Sequence, residues 1–189
     1  MFRLFSRSKN TIKNPVCLVA SIGSHDHALL TRDRQIYEHY FTDVEIYESG
    51  DVAGFNEFLN ETTVDILHLF ADVSSDHTIQ HESGISFFER LSQANVKIFI
   101  LASENEVDNL IPFCSQAANA GIAHMNIVMT LDRKGGLYGR FFKSLFGRMV
   151  NGKTMPQAWV ELAPQNPNTI HEAPEMVFSA GYGSLRLSV

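Results

Sequence analysis

Short apolar segments alternate with amphipathic helical patterns along most of this 189-residue chain. The apolar segments have the length of buried strands, and the predicted helices place apolar residues three and four positions apart. Strands that alternate with such helices are typical of βαβ units, in which helices cover both faces of a parallel sheet. The predicted strands are 16–22, 44–47, 64–70, 96–101 and 124–130, with a final strand pair or bent strand within 175–187.

This pattern predicts one α/β domain over residues 15–189, a three-layer αβα sandwich around a mostly parallel sheet of about six strands. Residues 1–14 carry Arg3, Arg7, Lys9 and Lys13 and no acidic residue. We interpret them as a basic, flexible tail, because short termini are usually poorly ordered. An amphipathic surface anchor is the alternative.

Composition excludes several classes of protein. Hydrophobic residues make up 44% of the chain and charged residues 19%, as in globular domains. The net charge of −6 argues against a general nucleic-acid binder, which needs a basic face. No apolar run reaches the roughly 20 residues that span a bilayer. Cys17 and Cys114 both lie in apolar segments, which predicts buried thiols without a disulfide in the cytoplasm.

The carboxyl ends of the third and fourth predicted strands hold the main candidate site residues. Asp72 and His77 follow the third strand, and Ser103 and Glu104 follow the fourth. Adjacent parallel strands bring such ends together, and a base beside a nucleophile is the arrangement used for acyl transfer. An active hydrolase using Ser103 with His77 or Asp72 is therefore one hypothesis. The alternative role for Ser103 is to cap the next helix, a role that Asn105 could also fill.

A second group of polar residues, His25, Asp26 and His27, follows the first strand. Imidazoles and carboxylates are metal-ligand types, so a metal-binding or small-ligand Rossmann-like module that also uses Asp72 is a further hypothesis. No recognised zinc spacing is present, and a solvated polar loop is the simpler interpretation. The chain has no GxGxxG or GxxxxGK[ST] motif, so we predict no nucleotide cofactor and no other cofactor.

Two segments resemble the caspase-like CHAT-domain family of cysteine peptidases. VDILHLFADV (64–73) is similar to the family's strand before a His-x-x-x-His-Gly signature, and VKIFILAS (96–103) to its next strand, which ends in Ala-Cys. His68 and Ala102 match the first histidine and the alanine. The family's catalytic histidine falls at Asp72, the glycine after it at Val73, and the catalytic cysteine at Ser103.

The resemblance extends in order over residues 15–188. Further matches are Gly121-Ile122 after a helix, Asp132 after a strand, the helices and Asn-Gly turn within 141–162, and the Gly-x-Gly bend within 174–187. The resemblance implies a caspase-like fold. It also implies lost peptidase activity, because neither Asp72 nor Ser103 can do the proton and thiolate chemistry of the family. We therefore expect a degenerate domain that binds a peptide or a separate partner protein.

Overall fold

A six-stranded sheet with helices on both faces organises the chain in this computed structural model, which describes residues 10–23, 27–102, 106–130, 137–162 and 176–189. The strands are β1 (Thr11–Lys13), β2 (Val16–Ile22), β3 (Asp43–Ser49), β4 (Ile66–Phe70), β5 (Thr78–Ile79), β6 (Glu82–Ser83), β7 (Ile98–Ala102), β8 (Asn126–Thr130), β9 (Met176–Ala180) and β10 (Arg186–Ser188). The helices are α1 (His27–Glu38), α2 (Val52–Glu61), α3 (Gly84–Gln93), α4 (Val107–Asn119), α5 (Leu137–Val150) and α6 (Met155–Leu162).

The central sheet has the strand order β3-β2-β4-β7-β8-β9. Its first five strands are parallel, and β9 pairs antiparallel with β8. Helices α1, α5 and α6 pack against one face, and α2, α3 and α4 pack against the other. The predicted three-layer αβα sandwich with a mostly parallel sheet is thus confirmed.

Helices on both faces explain why the strands read as continuous apolar runs rather than as alternating ones. In β2, Cys17 and Val19 join the core beneath α1 and α5, whereas Leu18 and Ala20 join the core beneath α2, α3 and α4. Every residue of β4, β7 and β8 is buried. The interior strands therefore separate two hydrophobic cores and contribute side chains to each.

The segment 72–84, which is polar and rich in turn-forming residues, contains the short antiparallel hairpin of β5 and β6. Gln80 and His81 form its two-residue turn with φ angles of 46° and 72°, the left-handed conformation that hairpin turns of this length need. The side chain of Ile79 is buried in the core beneath α2, α3 and α4. That contact anchors a segment whose polar composition predicts only a turn-rich loop.

The two ends of the described chain meet in a separate parallel pair, β1 with β10. Leu187 belongs to the core beneath α5, and the partly buried Ile12 packs against that core. The domain boundary predicted at residue 15 therefore falls after an ordered strand, and only residues 1–9 of the predicted tail lie outside the described chain. A three-residue strand inside a basic, polar stretch carries too little periodicity to be predicted.

The predicted bend after β9 contains two glycines, one without and one with space for a Cβ atom. The two positions therefore allow a matched comparison of alanine substitutions. A Cβ atom on Gly181 would collide with the backbone carbonyl of Met125, whereas one on Gly183 would meet only Pro156 at 3.9 Å. We expect Gly181→Ala to lower the free energy of unfolding by about 2 kcal/mol, because a backbone carbonyl cannot move aside. Gly183→Ala should change it by less than about 0.5 kcal/mol in the same urea titration. Equal effects would contradict this steric assignment.

Candidate functional site

The carboxyl ends of β4 and β7 lie side by side at one edge of the sheet. These strands pair in parallel, with Phe70 opposite Ala102. Asp72 is exposed two residues beyond this pair, and among the described residues it makes no hydrogen bond or ion pair. Ser103 is the first residue after β7 in the sequence. The strand pairing expected from the sequence is present, and it is the feature on which a site at this edge depends.

Several candidate residues lie outside the described part of the chain, namely His25, Asp26, Ser103, Glu104, Asn105 and Asp132. The helix that follows β7 starts at Val107, and its N-cap position is Glu106, which makes no side-chain capping bond. Glu106, rather than Ser103 or Asn105, therefore occupies the N-cap position, and the two predicted capping residues lie outside the described part of the chain.

His77 lies on the loop between β4 and the hairpin, half-buried, with a left-handed φ of 61°. Its main chain is held by two bonds: its N–H donates to the Ser74 carbonyl at 2.8 Å, and the Gln116 side chain donates to its carbonyl at 3.4 Å. Its ring Nδ1 is buried and has no hydrogen-bond partner among the described residues. His77 therefore keeps one buried ring nitrogen available for a further contact.

The loop that carries His77 is closed by the carboxylate of Asp76. The hydroxyl groups of Ser74 and Thr78 lie 2.5 Å and 2.8 Å from Asp76 Oδ1 and donate to it. These hydrogen bonds hold the pKa of Asp76 below its usual value, and the bond from Ser74 has the largest effect. The loop is thus organised by its own side chains, although Asp76 itself is fully exposed.

We expect Asp76→Asn to loosen this loop at neutral pH, seen as faster amide hydrogen exchange at His77. Because folding lowers the pKa of Asp76, its stabilising effect is complete above the unfolded-chain pKa of about 4 and is lost as the pH falls through the lower folded value. The exchange rates of the wild type and the variant should therefore converge at acidic pH. A difference that persists unchanged at low pH would show that ionisation of Asp76 is not the cause.

The metal hypothesis gains little from the described residues. His27, the first residue of α1, is exposed, and its Nδ1 lies 2.7 Å from Glu48 Oε1 at the end of β3. This contact pairs one imidazole with one carboxylate. Across the ranges that the structure describes, no group of three or more histidine, cysteine, aspartate or glutamate side chains is arranged to hold a metal ion.

The two cysteines lie away from the candidate edge and on opposite faces of the sheet. Cys17 is buried beneath α1 and α5, and Cys114 packs, half-buried, against the core of the other layer. Burial raises the pKa of the Cys17 thiol, and the charges of Asp65 and Asp43 raise it further. Burial also raises the pKa of Cys114. Both thiols are free, as predicted, and both are poorly suited to act as nucleophiles.

A buried polar cluster of Asp33, Tyr37, His68 and Tyr138, here called the His68 cluster, joins three elements. Nδ1 of His68 on β4 lies 2.7 Å from the Tyr37 hydroxyl on α1. Nε2 lies 2.9 Å from the Tyr138 hydroxyl on α5 and 3.1 Å from Asp33 Oδ2 on α1. All four residues have 0% exposure. The cluster thus holds two helices on the strand that leads to Asp72, rather than meeting a ligand in solvent.

The sequence itself contains a signal for the His68 cluster. Leu30, Asp33 and Tyr37 are spaced three and four residues apart, so they lie on the same face of α1. An aspartate on the apolar face of a helix requires a buried partner. The histidine in the middle of the apolar strand β4 is the matching anomaly, and together the two predict a buried pair.

Comparisons with known proteins do not assign this chain to a family. No family model, curated protein or solved structure matches it. Within the described ranges, no helix is both long enough and apolar enough to cross a bilayer. The fold and the sheet edge therefore define the class of molecule, an αβα sandwich with candidate groups at the carboxyl ends of β4 and β7.

Proposed function

We propose that this chain is a catalytically degenerate, caspase-like domain of the CHAT type that acts in the cytoplasm as a protein-interaction module. Its binding site would be the cleft at the carboxyl ends of β4 and β7. The occupant would be a peptide or an extended segment of a separate partner protein. The proposal requires no cofactor, metal or nucleic acid.

The observation that carries the proposal is the parallel pairing of β4 with β7. The family resemblance aligns Asp72 with the catalytic histidine and Ser103 with the catalytic cysteine. These two residues would share a cleft only if β4 and β7 are neighbouring strands. Phe70 lies opposite Ala102, so the two strands end level with each other. The Asp72 carboxylate is exposed and has no partner among the described residues, and it is acceptor-only where the family has an imidazole.

Binding is favoured over catalysis because the described residues supply no activated thiol. Both cysteines are removed from this edge, and burial raises the pKa of each. A serine hydroxyl at residue 103 would need a positioned base that can accept a proton and return it near pH 7. Carboxylates meet that need poorly compared with imidazole, which titrates near neutral pH in model peptides.

The chemical test is labelling with a fluorophosphonate probe together with a mixed-peptide cleavage assay. We expect neither labelling nor cleavage above the level of Ser103→Ala. Labelling of Ser103 that disappears in Ser103→Ala would replace the binding proposal with a hydrolase.

The binding test is selection of peptides from a displayed library against the wild-type protein. Selected peptides should lose at least about tenfold in affinity for Asp72→Arg, since reversing a contacting charge costs more than 1.4 kcal/mol. Glu57→Arg is the matched control, because Glu57 is an exposed acid on α2. Equal affinity for the two variants would place binding elsewhere and contradict the proposal.

The alternative is an active hydrolase in which His77 serves Ser103 as base, and one observation favours it. The buried Nδ1 atom of His77 has no hydrogen-bond partner among the described residues, as expected of a base that awaits a substrate or nucleophile. This alternative predicts that His77→Gln and Ser103→Ala abolish the same peptide cleavage, whereas His39→Gln, at an exposed histidine on another element, retains it. Absence of cleavage by the wild type would exclude this alternative.

A further inference from the structure

Helix α4 exposes an apolar stripe that nothing in the described chain covers. Val107 and Ile111, four residues apart, are 42% and 51% exposed, and Cys114 continues the stripe, half-buried. We call these three residues the α4 stripe. The acids Glu106 and Asp108 beside it are exposed and make no ion pair among the described residues. The α4 stripe, an apolar surface bordered by carboxylates, is complementary to a segment with both apolar and cationic side chains.

The α4 stripe faces away from α3 and toward the β9 side of the domain. Gln116 marks the α3 side of α4, because its Oε1 accepts from the Ile85 N–H at 3.2 Å. At about 100° per residue, Val107 and Ile111 lie about 180° and 140° around the helix from Gln116. Helix α4 also contacts β9, the edge strand of the sheet. The stripe therefore borders a side of the domain that the described residues leave uncovered.

The described chain begins close to this same side. The Tyr182 hydroxyl donates to Asn10 Oδ1 at 3.3 Å, and Tyr182 also exchanges two hydrogen bonds with Asn126 at the start of β8. The neighbouring Gly181 packs against the main chain of Ile122 and Met125, in the connection that follows α4. Ile12 and Tyr182 pack on the α5 face of the sheet, so residues 1–9 would pass around the end of the sheet at Gly181 to reach the C-terminal end of α4.

Length, charge and apolar content fit residues 1–9 to the stripe. Nine extended residues reach about 30 Å, whereas the 13 residues of α4 span about 20 Å. The segment MFRLFSRSK has three cationic side chains and no acidic residue, in a chain whose net charge is −6. Its large apolar residues include Phe2, Leu4 and Phe5. We propose that residues 1–9 dock on the α4 stripe of their own chain. Their cations would lie beside Glu106 and Asp108.

The first test places a photoreactive amino acid in place of Ile111 in the full-length protein, followed by irradiation and peptide mapping. We expect crosslinks to residues 1–9 within a band of monomer size. A photoreactive residue in place of Ile85 is the matched control, because Ile85 is 40% exposed but lies on the α3 side of α4. Crosslinks from position 111 that miss residues 1–9, that occur only in a dimer band, or that equal those from position 85 would overturn the proposal.

A second measurement uses Cys114 as a natural reporter of coverage. Phe2→Ser combined with Phe5→Ser should raise the rate of Cys114 alkylation by iodoacetamide several-fold, because the apolar contacts that cover the stripe are lost. Ser6→Ala combined with Ser8→Ala is the control in the same segment and should leave the rate unchanged. Buried Cys17 reports on any global unfolding. An unchanged rate at Cys114 in the Phe2 and Phe5 variant would show that residues 1–9 do not cover the stripe.

Discussion

Replacing His68 with leucine is expected to lower the free energy of unfolding by about 3–5 kcal/mol, the range for breaking a buried charged or strongly polar pair. The substitution removes Nε2, which lies 3.1 Å from Asp33 Oδ2 and 2.9 Å from the Tyr138 hydroxyl, and Nδ1, which lies 2.7 Å from the Tyr37 hydroxyl. Leucine has no group that can replace these contacts, and the site is fully buried, so water cannot replace them without local opening. Urea denaturation of the purified protein measures the change.

The exposed His39 provides the control, since His39→Leu should change the free energy of unfolding by less than about 0.5 kcal/mol. A double variant tests whether the effect comes from the pair. Asp33→Leu with His68→Leu should cost clearly less than the sum of the single variants, because each single variant already breaks the same contact. Strict additivity would show that the two side chains are not energetically coupled.

Replacing Phe88 with alanine is expected to lower the free energy of unfolding by a similar amount, about 3–5 kcal/mol. Phe88 on α3 is fully buried and packs against the rings of Phe87, Phe99 and Phe113, with ring centroids 5.2–6.2 Å apart. The truncated side chain leaves a cavity that its aromatic neighbours can fill only in part. This core lies beneath α2, α3 and α4, so the substitution tests the layer opposite the His68 cluster.

Ile85 on the same helix gives a matched comparison for Phe88. Its side chain is 40% exposed, so Ile85→Ala removes much less buried surface and should cost under about 1 kcal/mol. Both variants are measured by urea denaturation at the same pH. A cost for Phe88→Ala close to that for Ile85→Ala would mean that the aromatic core relaxes fully around the missing ring, contrary to its packing.

The fold class and the order of elements were predictable from the sequence because both depend on local periodicity. The predicted strands 16–22 and 64–70 correspond to β2 and β4, and the helices expected within 141–162 correspond to most of α5 and to α6. Continuous apolar runs within 16–22 and 96–101 indicate strands buried on both faces, as β2 and β7 are. The same parallel arrangement explains why the candidate groups were expected at the carboxyl ends of the strands.

Pairings between residues distant in sequence were decided only by the tertiary structure. The strand β1 exists because Thr11–Lys13 meets Arg186–Ser188, and no local pattern encodes a partner more than 170 residues away. Asp33 and His68 each break an apolar pattern, but only the packing of α1 on β4 brings them within 3.1 Å. Periodicity reports which face of an element is buried, whereas the identity of the opposing side chain depends on how the layers pack.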